Sequence, residues 1–589
     1  MISIRLIEIQ NYRAIKKLVW SPNAGLNCLI GPGDSGKSSI LDAIELCMGS
    51  AARRTIAVSD SDFHGLNTDE PISISLTFGG LDDSLLDLDE YALYLRAFDS
   101  KTGVLQDEPQ TGLETVITLN VSVDSYRDPV WGLSSKRATD KNQQKKLSQK
   151  ERARLLSSRL GVSNVAQNLT WGKGSVLTRL NEEQLDVDSV LIDIARDAKF
   201  AFGENANDQL IDALAIVEKT ANSLGVPTGG AVKASLDTQG FWLKEGAVAL
   251  HGSDGVPLRC LGTGSARLLV AGLQRDATQA AAVVLVDEVE FGLEPHRLTR
   301  LLNALGSKLE EPTAQVFITT HSPVALQQLK AEHLHIVCKG RDGHTVNAAG
   351  KGDDVQGTLR KSPSSFLAKK VIVCEGASEQ GLLRGVDDWN VARGNDSLLA
   401  RGVSLLDAGG GSPKGCIEKA VLFAKLGFEV AALIDNDVAV DSRVRNQLTE
   451  VGGRLFTWED GFALEDALFV HLPDESVDRL LEFALENVGR GSVDEKVKEQ
   501  FGSDVCASSI LEGAELAGYS ETERKKLGLA SRTKKKSKSG EAEKKSGWFK
   551  SIDRMERVGC ELVGPAMLPN KTPLTQVVFD IFRWTQIGH

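Results

Sequence analysis

The residues Leu29-Ile-Gly-Pro-Gly-Asp-Ser-Gly-Lys-Ser-Ser-Ile40 contain the complete pattern Gly-x-x-x-x-Gly-Lys-Ser, from Gly31 to Ser38. The apolar run 26–30 before the pattern predicts a buried strand, and the apolar spacing of residues 39–47 predicts a helix. A glycine-rich turn that matched by chance would not be expected between two such elements. We therefore predict a phosphate-binding loop, with backbone N–H groups and a helix N-terminus surrounding phosphate oxygens.

The residue types of this loop predict a nucleoside triphosphate, ATP, bound together with Mg²⁺. Lys37 has the charge and length to reach the β- and γ-phosphates, and Ser38 has a hydroxyl group that would ligate the cation. Glycine lets the backbone approach the phosphates closely. The predicted nucleotide-binding residues of the loop are Gly31, Gly33, Gly36, Lys37, Ser38 and Ser39.

Composition limits the classes of protein that this chain can represent. A chain of 589 residues is too long for a single core, and two to four domains are expected. Hydrophobic residues make up 41% and charged residues 25%, which is typical of globular proteins. The formal net charge of −12 excludes a molecule that is basic throughout, so contacts with DNA would come from local basic patches or through bound metal.

Cysteine usage and hydropathy indicate the compartment. The eight cysteines are scattered singly without a Cys-x-x-Cys pair, which predicts a reducing compartment and argues against structural zinc. No apolar run approaches the length of a membrane span, and the first residues lack the layout of a signal peptide. We expect a cytoplasmic protein with no membrane association.

A second motif follows the apolar run 281–286, which predicts a strand buried on both faces. Asp287 and Glu288 come directly after it, at the strand end where α/β proteins place ligand-binding residues. Asp287 would hold Mg²⁺ through water, and Glu288 would orient or deprotonate the attacking water. The alternative is an acidic turn, which the upstream phosphate-binding loop disfavours.

Two weaker patterns accompany these motifs. In residues 261–267, Gly264 and Ser265 precede a helical run and predict an anion site at a helix start, although many helices begin with such a turn. The run 315–320 predicts a buried strand that ends at His321. A lone histidine is usually structural, but at this position it would sense the γ-phosphate of a nucleotide.

The second half of the chain repeats the pattern of a buried strand that ends in carboxylates. Glu375 ends one predicted strand, and Glu379 lies one helical turn further on. Asp435 and Asp437 end another, and i and i+2 side chains of an extended chain face the same way. Glu465 is a further candidate ligand.

Carboxylates at adjacent strand ends cannot all ionise unless a cation neutralises them. A pair of Mg²⁺ or Mn²⁺ ions would do so and would position a phosphodiester. Asp407 ends another short strand and is interpreted as a turn residue. The predicted ligands of these two ions are Glu375, Glu379, Asp435, Asp437 and Glu465, and those of a third ion bound with ATP are Ser38 and Asp287.

Residues 531–550 are strongly basic. A solvated charged loop is one interpretation, and an arm that binds DNA phosphates without reading sequence is the other. Lys550 differs from the other lysines because it follows Trp548 and Phe549, whose packing would direct it inward. A lysine held there would offset the negative charge of a phosphoryl transition state.

In this order, the motifs of residues 1–345 resemble an ABC-type ATPase of the SMC kind. Residues 261–267 resemble its signature loop, residues 292–296 stand where its D-loop falls, and His321 matches its switch histidine. The resemblance implies that ATP is enclosed between two heads of a homo-oligomer. The corresponding divisions are an N-terminal ATPase part (1–134), a helical insertion that is a candidate dimerisation region (135–235) and a C-terminal ATPase part (236–345).

After a predicted linker (346–365), residues 366–589 resemble a Toprim domain. An ABC-type head followed by a Toprim domain resembles the OLD (overcoming lysogenization defect) family of ATP-dependent nucleases. Lys550 is similar to the catalytic lysine of class 2 members, which include the Gabija anti-phage nuclease, and that class implies a UvrD-type helicase partner. The residues implied to be catalytic are Glu288 in the ATPase and Glu375, Glu379, Asp435, Asp437 and Lys550 in the Toprim domain.

The predicted fold class is therefore α/β, an ABC/SMC-like head with a helical insertion followed by a Toprim domain. The main functional hypothesis is a metal-dependent DNA endonuclease or nickase with a regulating ATPase, in anti-phage defence or DNA repair. An ATP-driven DNA clamp or sensor with an inactive Toprim fold is the alternative. A topoisomerase is disfavoured because none of the five tyrosines lies in an evident cleavage module, and a primase because no zinc or helicase-binding module is evident.

Overall fold

The computed structural model describes residues 2–49, 57–83, 85–143, 145–146, 157–160, 169–171, 210–223, 248–277, 283–532, 547–568 and 571–586. The chain forms two compact units. Among the described residues, no helix is both long and apolar enough to cross a bilayer. The first unit comprises Met1–Leu29, Gly36–Leu329 and Gly340–Thr345, and the second comprises Ile30–Ser35, Lys330–Lys339 and Val346–His589.

The described strands are, in chain order, β1 (Ser3–Tyr12), β2 (Ile15–Trp20), β3 (Leu26–Ile30), β4 (Ile72–Gly79), β5 (Leu95–Asp99), β6 (Val104–Gln106), β7 (Glu114–Val123), β8 (Pro129–Leu133), β9 (Lys145–Lys146), β10 (Ser157–Leu160), β11 (Thr170–Trp171), β12 (Val248–Ala249), β13 (Val283–Val286), β14 (Gln315–Thr319), β15 (Leu334–Lys339), β16 (His344–Ala348), β17 (Lys370–Cys374), β18 (Val403–Asp407), β19 (Glu429–Ile434) and β20 (Arg454–Thr457).

The described α-helices are α1 (Lys37–Met48), α2 (Leu88–Tyr91), α3 (Lys136–Asp140), α4 (Ile211–Ser223), α5 (Thr263–Ala277), α6 (Pro295–Ala304), α7 (Pro323–Gln328), α8 (Asp353–Lys361), α9 (Ala377–Val391), α10 (Pro413–Lys425), α11 (Ser442–Glu450), α12 (Leu464–His471), α13 (Asp474–Val488), α14 (Arg490–Phe501), α15 (Ala507–Ala517), α16 (Glu521–Arg532), α17 (Ile552–Val558), α18 (Gly564–Ala566) and α19 (Pro573–Gln586).

The first unit contains an antiparallel sheet and a parallel one. The antiparallel sheet has the strand order β2-β1-β4-β7-β5-β6, and β8 joins β7 to β9. In the parallel sheet β10 pairs with β13, β13 with β14, and β14 with β3. β3, β13 and β14 are buried along their whole length, as expected of strands covered on both faces.

The predicted helical insertion differs from the structure. Within residues 135–235, β9 pairs with β8, and β10 is a strand of the parallel sheet beside β13. These two elements are strands because they complete sheets whose other strands lie elsewhere in the chain. Four or fewer residues carry too short an apolar pattern to reveal this. α3 and α4 are helical as predicted, and most of the remaining residues of the insertion lie outside the described ranges.

The second unit contains a parallel sheet with the order β18-β17-β19-β20. Its core extends into the C-terminal helices and includes Trp548 and Phe549, both fully buried. The predicted linker of residues 346–365 is not irregular, because it contains α8 and most of a 3-10 helix, Pro363–Leu367. Val355 and Leu359 of α8 are buried and lie four residues apart, on one face of the helix. The many polar residues of this segment made that helical spacing hard to recognise in the sequence.

Candidate functional site

The loop between β3 and α1 has a backbone that favours glycine at two positions. Gly36 caps α1 with φ 90°, and Gly31 has φ 146°. Both φ values lie in the region of backbone conformation that residues other than glycine rarely adopt. A Cβ atom on Gly31 would also lie 2.6 Å from the carbonyl oxygen of Val337. Since α1 begins at Lys37, the positive end of its helix dipole lies at the loop, as an anion site requires.

The two predicted Mg²⁺ ligands of the nucleotide site lie together. Ser38 Oγ donates a hydrogen bond to Asp287 Oδ1 at 3.2 Å. Thr319 Oγ1 donates to the same oxygen at 2.7 Å. The parallel pairing of β13, β14 and β3 causes this meeting, because it aligns their carboxyl ends at one edge of the sheet. Of the neighbouring loop residues, Gly33 is exposed and Ser39 is half-buried.

Glu288 follows Asp287 in an unusual backbone conformation, with φ 45°. Its N–H donates to Thr319 Oγ1 at 2.8 Å. The fully buried Arg267 holds the turn by donating to the carbonyl oxygens of Asp287 (2.6 Å), Glu288 (2.9 Å) and Phe291 (2.8 Å). The Glu288 side chain itself is exposed, so the strained turn presents a carboxylate to solvent.

His321 lies just beyond the end of β14 and is exposed. Its backbone N–H donates to Glu290 Oε1 at 2.7 Å, and the hydroxyl of Thr320 donates to Glu290 Oε2 at 2.6 Å. Glu290 therefore joins the segment carrying the histidine to the turn after β13.

The predicted signature residues lie at the start of α5. A Cβ atom on Gly264 would lie 2.3 Å from the carbonyl oxygen of Gly292, so only glycine fits this approach. Ser265 Oγ accepts a hydrogen bond from Arg297 Nη1 at 2.8 Å. Both residues thus contact the segment that follows the Asp287–Glu288 turn in the same chain.

Sequence reasoning missed Arg159, which lies on β10 within the predicted helical insertion. Its guanidinium contacts Asp42, Glu45 (2.8 Å) and Asp287 Oδ2 (3.2 Å). Burial disfavours the charged form, but the Asp42 and Glu45 carboxylates outweigh burial and raise the pKa of Arg159 above its usual value. Arg159 therefore connects α1 to the Asp287 carboxylate, and no local pattern in its basic surroundings indicates that.

In the second unit, parallel pairing of β17 and β19 brings two predicted metal ligands together. Glu375 follows β17, Asp435 follows β19, and the N–H of Asp435 donates to Glu375 Oε2 at 3.0 Å. The N–H of Leu464, the first residue of α12, donates to Asp435 Oδ1 at 2.9 Å. α12 thereby carries its own acidic residues to the same strand ends.

Glu379 and Glu465 complete this group from two helices, and they are 4% and 1% exposed. Glu379 Oε2 accepts from the N–H of Gly376 at 2.8 Å. Glu465 Oε1 is buried and accepts no hydrogen bond from any residue that the structure describes. Burial, and then the charge of Glu465, raise the pKa of Glu379 to about 7. Burial and the neighbouring carboxylates also raise the pKa of Asp435 well above its usual value.

Lys550 approaches the same carboxylates. Its Nζ lies 3.6 Å from Glu465 Oε1, and the charge of Glu465 raises the pKa of Lys550. Trp548 and Phe549 are fully buried, which confirms that an aromatic anchor precedes this lysine. We use the name acidic cluster for Glu375, Glu379, Asp435 and Glu465.

Asp437 has a different partner. Arg532 Nη1 donates to Asp437 Oδ2 at 2.6 Å, and Arg532 Nε lies 3.3 Å from Asp466 Oδ2. Asp466 also accepts from the N–H of Ala463 at 3.0 Å. Sequence reasoning identified Asp437 but not Arg532, which lies far along the chain. Asp407 is the last residue of β18 and accepts from the N–H of Gly409 at 2.7 Å, so its carboxylate caps the turn that follows the strand.

The acidic cluster fits a divalent cation in its chemistry. Burial raises the pKa values of Glu375, Glu379 and Asp435, and nearby carboxylates add to that effect; the buried Glu465 Oε1 has an open acceptor position in the described structure. In the described ranges, no three His, Cys, Asp or Glu side chains converge closely enough to hold an ion as they stand. The carboxylates would therefore have to close around a cation.

Several known proteins are similar to parts of this chain. The DNA replication and repair protein RecF of Prosthecochloris aestuarii is 49% identical over 41 residues, which is 7% of this chain and 11% of that protein. The crystal structure of an Smc head bound to the C-winged helix domain of ScpA aligns with 58% of this chain and 96% of its own, at 14% identity and TM-score 0.32. The SMC head domain from Thermotoga maritima aligns with 58% of this chain and 97% of its own, at 12% identity and TM-score 0.27.

Two family models match. The model described as “AAA domain, putative AbiEii toxin, Type IV TA system” matches residues 26–327, which is more than half of the chain. The model described as “Overcoming lysogenization defect protein-like, TOPRIM domain” matches residues 366–437, which contain Glu375, Glu379, Asp435 and Asp437. With an AAA-type ATPase domain followed by an OLD-like Toprim domain, this chain belongs to the overcoming lysogenization defect (OLD) family of ATPase–Toprim proteins.

Proposed function

We propose that this protein is a metal-dependent DNA endonuclease or nickase whose access to DNA is regulated by its ATPase. The observation that carries the proposal is the acidic cluster, four carboxylates gathered at the ends of β17 and β19 with Lys550 beside them. A buried group of acids is costly for folding unless it binds a cation. Its presence in a Toprim domain therefore supports phosphodiester chemistry.

The acidic cluster and Asp437 would hold two Mg²⁺ or Mn²⁺ ions, and Ser38 and Asp287 would hold one with ATP. Bound at the cluster, divalent cations would activate water and stabilise the leaving oxygen of a phosphodiester. Lys550 Nζ, 3.6 Å from Glu465, would add a positive charge where the transition state is most negative. The ion pair with Glu465 keeps this lysine charged and directed toward the cluster.

In the ATPase, Lys37 would bind the nucleotide phosphates and Glu288 would act on the attacking water. Gly264 and Ser265 would complete the nucleotide site of a second copy, which requires a homo-oligomer of two or more chains. Residues 135–235 are our candidate for the contact that holds the copies together. His321 would sense the γ-phosphate from the end of β14.

We infer further that the chain is a class 2, Gabija-like member of its family with a UvrD-type helicase partner. The support is the position of Lys550, late in the chain and next to Glu465. A cytoplasmic role in anti-phage defence or DNA repair follows from that assignment. ATP and DNA are then its other binding partners.

Plasmid cleavage tests the proposal. Purified full-length protein is incubated with supercoiled plasmid and Mg²⁺ or Mn²⁺, with and without ATP. We expect nicked or linear product from the wild type, and none from Asp435→Ala, which should still hydrolyse ATP. Asp396→Ala is the matched control, because Asp396 is an exposed carboxylate of the same domain. If Asp435→Ala cuts as fast as the wild type in either metal, the alternative of an ATP-driven DNA clamp or sensor with an inactive Toprim fold replaces this one.

A further inference from the structure

One arginine forms ion pairs with two carboxylates next to the acidic cluster. Arg532 uses Nη1 for Asp437 Oδ2 at 2.6 Å and Nε for Asp466 Oδ2 at 3.3 Å. The Arg532 side chain is 24% exposed and that of Asp466 is 8% exposed. One partly desolvated guanidinium is therefore paired with two carboxylates, through a charge-assisted hydrogen bond to Asp437 and an ion pair with Asp466.

The position of Arg532 is fixed by its surroundings. Arg532 is the last residue of α16, and the carbonyl oxygen of the preceding Ser531 accepts a hydrogen bond from Trp548 N at 2.9 Å. Gly528, one turn earlier, lies so close to Asp466 that a Cβ atom there would be 2.7 Å from Asp466 Oδ1. The end of α16 is therefore anchored against α12 and against the buried tryptophan.

The positive charge beside the Toprim carboxylates is unevenly distributed. Asp437 has a guanidinium at hydrogen-bond distance, whereas Glu465 has the Lys550 ammonium at 3.6 Å. Asp437 stands two residues after Asp435, where it could share a cation with that residue. Arg532 thus places a protein cation on the outer of two carboxylates that would each contribute to metal binding.

We propose that Arg532 is a built-in counter-cation that occupies the second divalent-cation position, so that a first ion binds at Glu375 and Asp435 and a second binds only by displacing Arg532 from Asp437. This rests on the proposed metal site and names its regulation. An arginine displaced in this way presents its N–H fork to solvent. The fork fits phosphate oxygens as well as carboxylates. Binding of the second cation and of a nucleic-acid phosphate would therefore favour each other.

The test is direct binding of Mn²⁺ to the nucleotide-free full-length protein, followed by the loss of the free-ion paramagnetic resonance signal. We expect one tight and one weak Mn²⁺ in the wild type. Arg532→Gln removes the competing charge and should tighten the weak ion by on the order of tenfold, while leaving the tight ion unchanged. Lys525→Gln removes the same charge from an exposed residue of α16 that pairs with Glu521, and should change neither.

Two further variants make the result decisive. In an Asp437→Asn background the gain from Arg532→Gln should vanish, because the carboxylate for which ion and arginine compete is gone. Arg532→Lys, which keeps the charge but loses the fork, should tighten the weak ion by about threefold, and it replaces the Gln variant if that variant does not fold. An unchanged weak site in the folded Arg532 variants, or a gain that persists with Asp437→Asn, would overturn the proposal. None of these measurements requires DNA cleavage, so failure of the nuclease assignment is detected separately.

Discussion

The nucleotide site and the Toprim site both place carboxylates at the ends of parallel strands, but Asp287 in the first and Glu465 in the second differ in the donors they receive. Asp287 accepts from Ser38 and Thr319 and contacts Arg159. In the acidic cluster, Glu465 is more deeply buried and has an ammonium at 3.6 Å. Protein groups therefore hold the Asp287 carboxylate in place without an ion. The acidic cluster has more negative than positive charge, and a bound cation would neutralise the excess.

This difference has a physical cause in desolvation. A carboxylate with several donors stays ionised after burial, whereas carboxylates that mainly face one another retain protons. Burial, together with neighbouring carboxylates, raises the pKa values of Glu375, Glu379 and Asp435. Variants in the two sites should therefore respond differently to metal, pH and nucleotide.

The largest effect is expected in the ATPase. Glu288→Gln should keep nucleotide binding and slow ATP hydrolysis by about 10²–10⁴-fold, the scale of a positioned base. Lys37→Ala should abolish nucleotide binding, because it removes the positive charge that pairs with the phosphates. Fluorescent-nucleotide binding and phosphate release measure the two steps, and Glu310→Gln, at an exposed site, is the control. Hydrolysis at the wild-type rate by Glu288→Gln would make the assignment of this residue wrong.

The next effect is on DNA cleavage. Lys550→Ala should lower the cleavage rate by roughly 10²-fold, the scale of one preorganised charge, while ATP hydrolysis stays unchanged. Lys525→Ala, which removes an exposed lysine of the same unit, is the control. The weakening of DNA binding by salt should persist in both variants, since the proposed phosphate-binding basic residues would remain. Equal cleavage rates for Lys550→Ala and Lys525→Ala would remove Lys550 from the catalytic group.

A smaller effect tests how the nucleotide site is positioned. Thr319→Val removes the hydroxyl that donates to Asp287 and accepts from the N–H of Glu288. We expect kcat for ATP hydrolysis to fall about tenfold with little change in nucleotide affinity, because the turn loses its alignment and not its phosphate contacts. Thr118→Val removes a buried hydroxyl that pairs with Thr77 in the antiparallel sheet, and should leave kcat unchanged. A larger change in affinity than in kcat would contradict this role.

The smallest effect is on stability as a function of pH. Burial and Glu465 raise the pKa of Glu379 from 4.5 to about 7 in the folded chain. A raised folded-state pKa gives stability that is complete below the unfolded-state pKa and is lost as pH rises through the folded-state pKa. In cation-free buffer, Tm should fall by a few degrees more between about pH 4.5 and about pH 7 in the wild type than in Glu379→Gln. Mn²⁺ should reduce that fall, and identical pH profiles of the two proteins would contradict the shift.

Much of the nucleotide site was predictable because its chemistry is local. The predicted strand at residues 26–30 is β3, and the predicted helix at 39–47 lies within α1. A phosphate-binding loop needs glycine at fixed spacing, and strands buried on both faces have continuous apolar runs. The same reasoning located Glu375 and Asp435, since a carboxylate after such a run stands out in the sequence.

Arg159 and Arg532 could not be predicted, because each acts on carboxylates distant in the sequence. Arg159 reaches Asp287 through the pairing of β10 with β13, and a four-residue strand has no readable period. Arg532 begins a lysine-rich stretch in which one arginine looks like its neighbours. The inward position of Lys550 could be predicted, because Trp548 and Phe549 precede it and provide a local reason for burial.

One measurement tests the central difference between the sites most directly. Mn²⁺ binding to nucleotide-free full-length protein is compared for the wild type, Asp435→Asn and Asp287→Asn by paramagnetic resonance. We predict that Asp435→Asn loses the tightly bound ion and that Asp287→Asn keeps it, because the acidic cluster demands a cation while Asp287 is held by protein donors. Loss of the ion in Asp287→Asn with retention in Asp435→Asn would contradict the account.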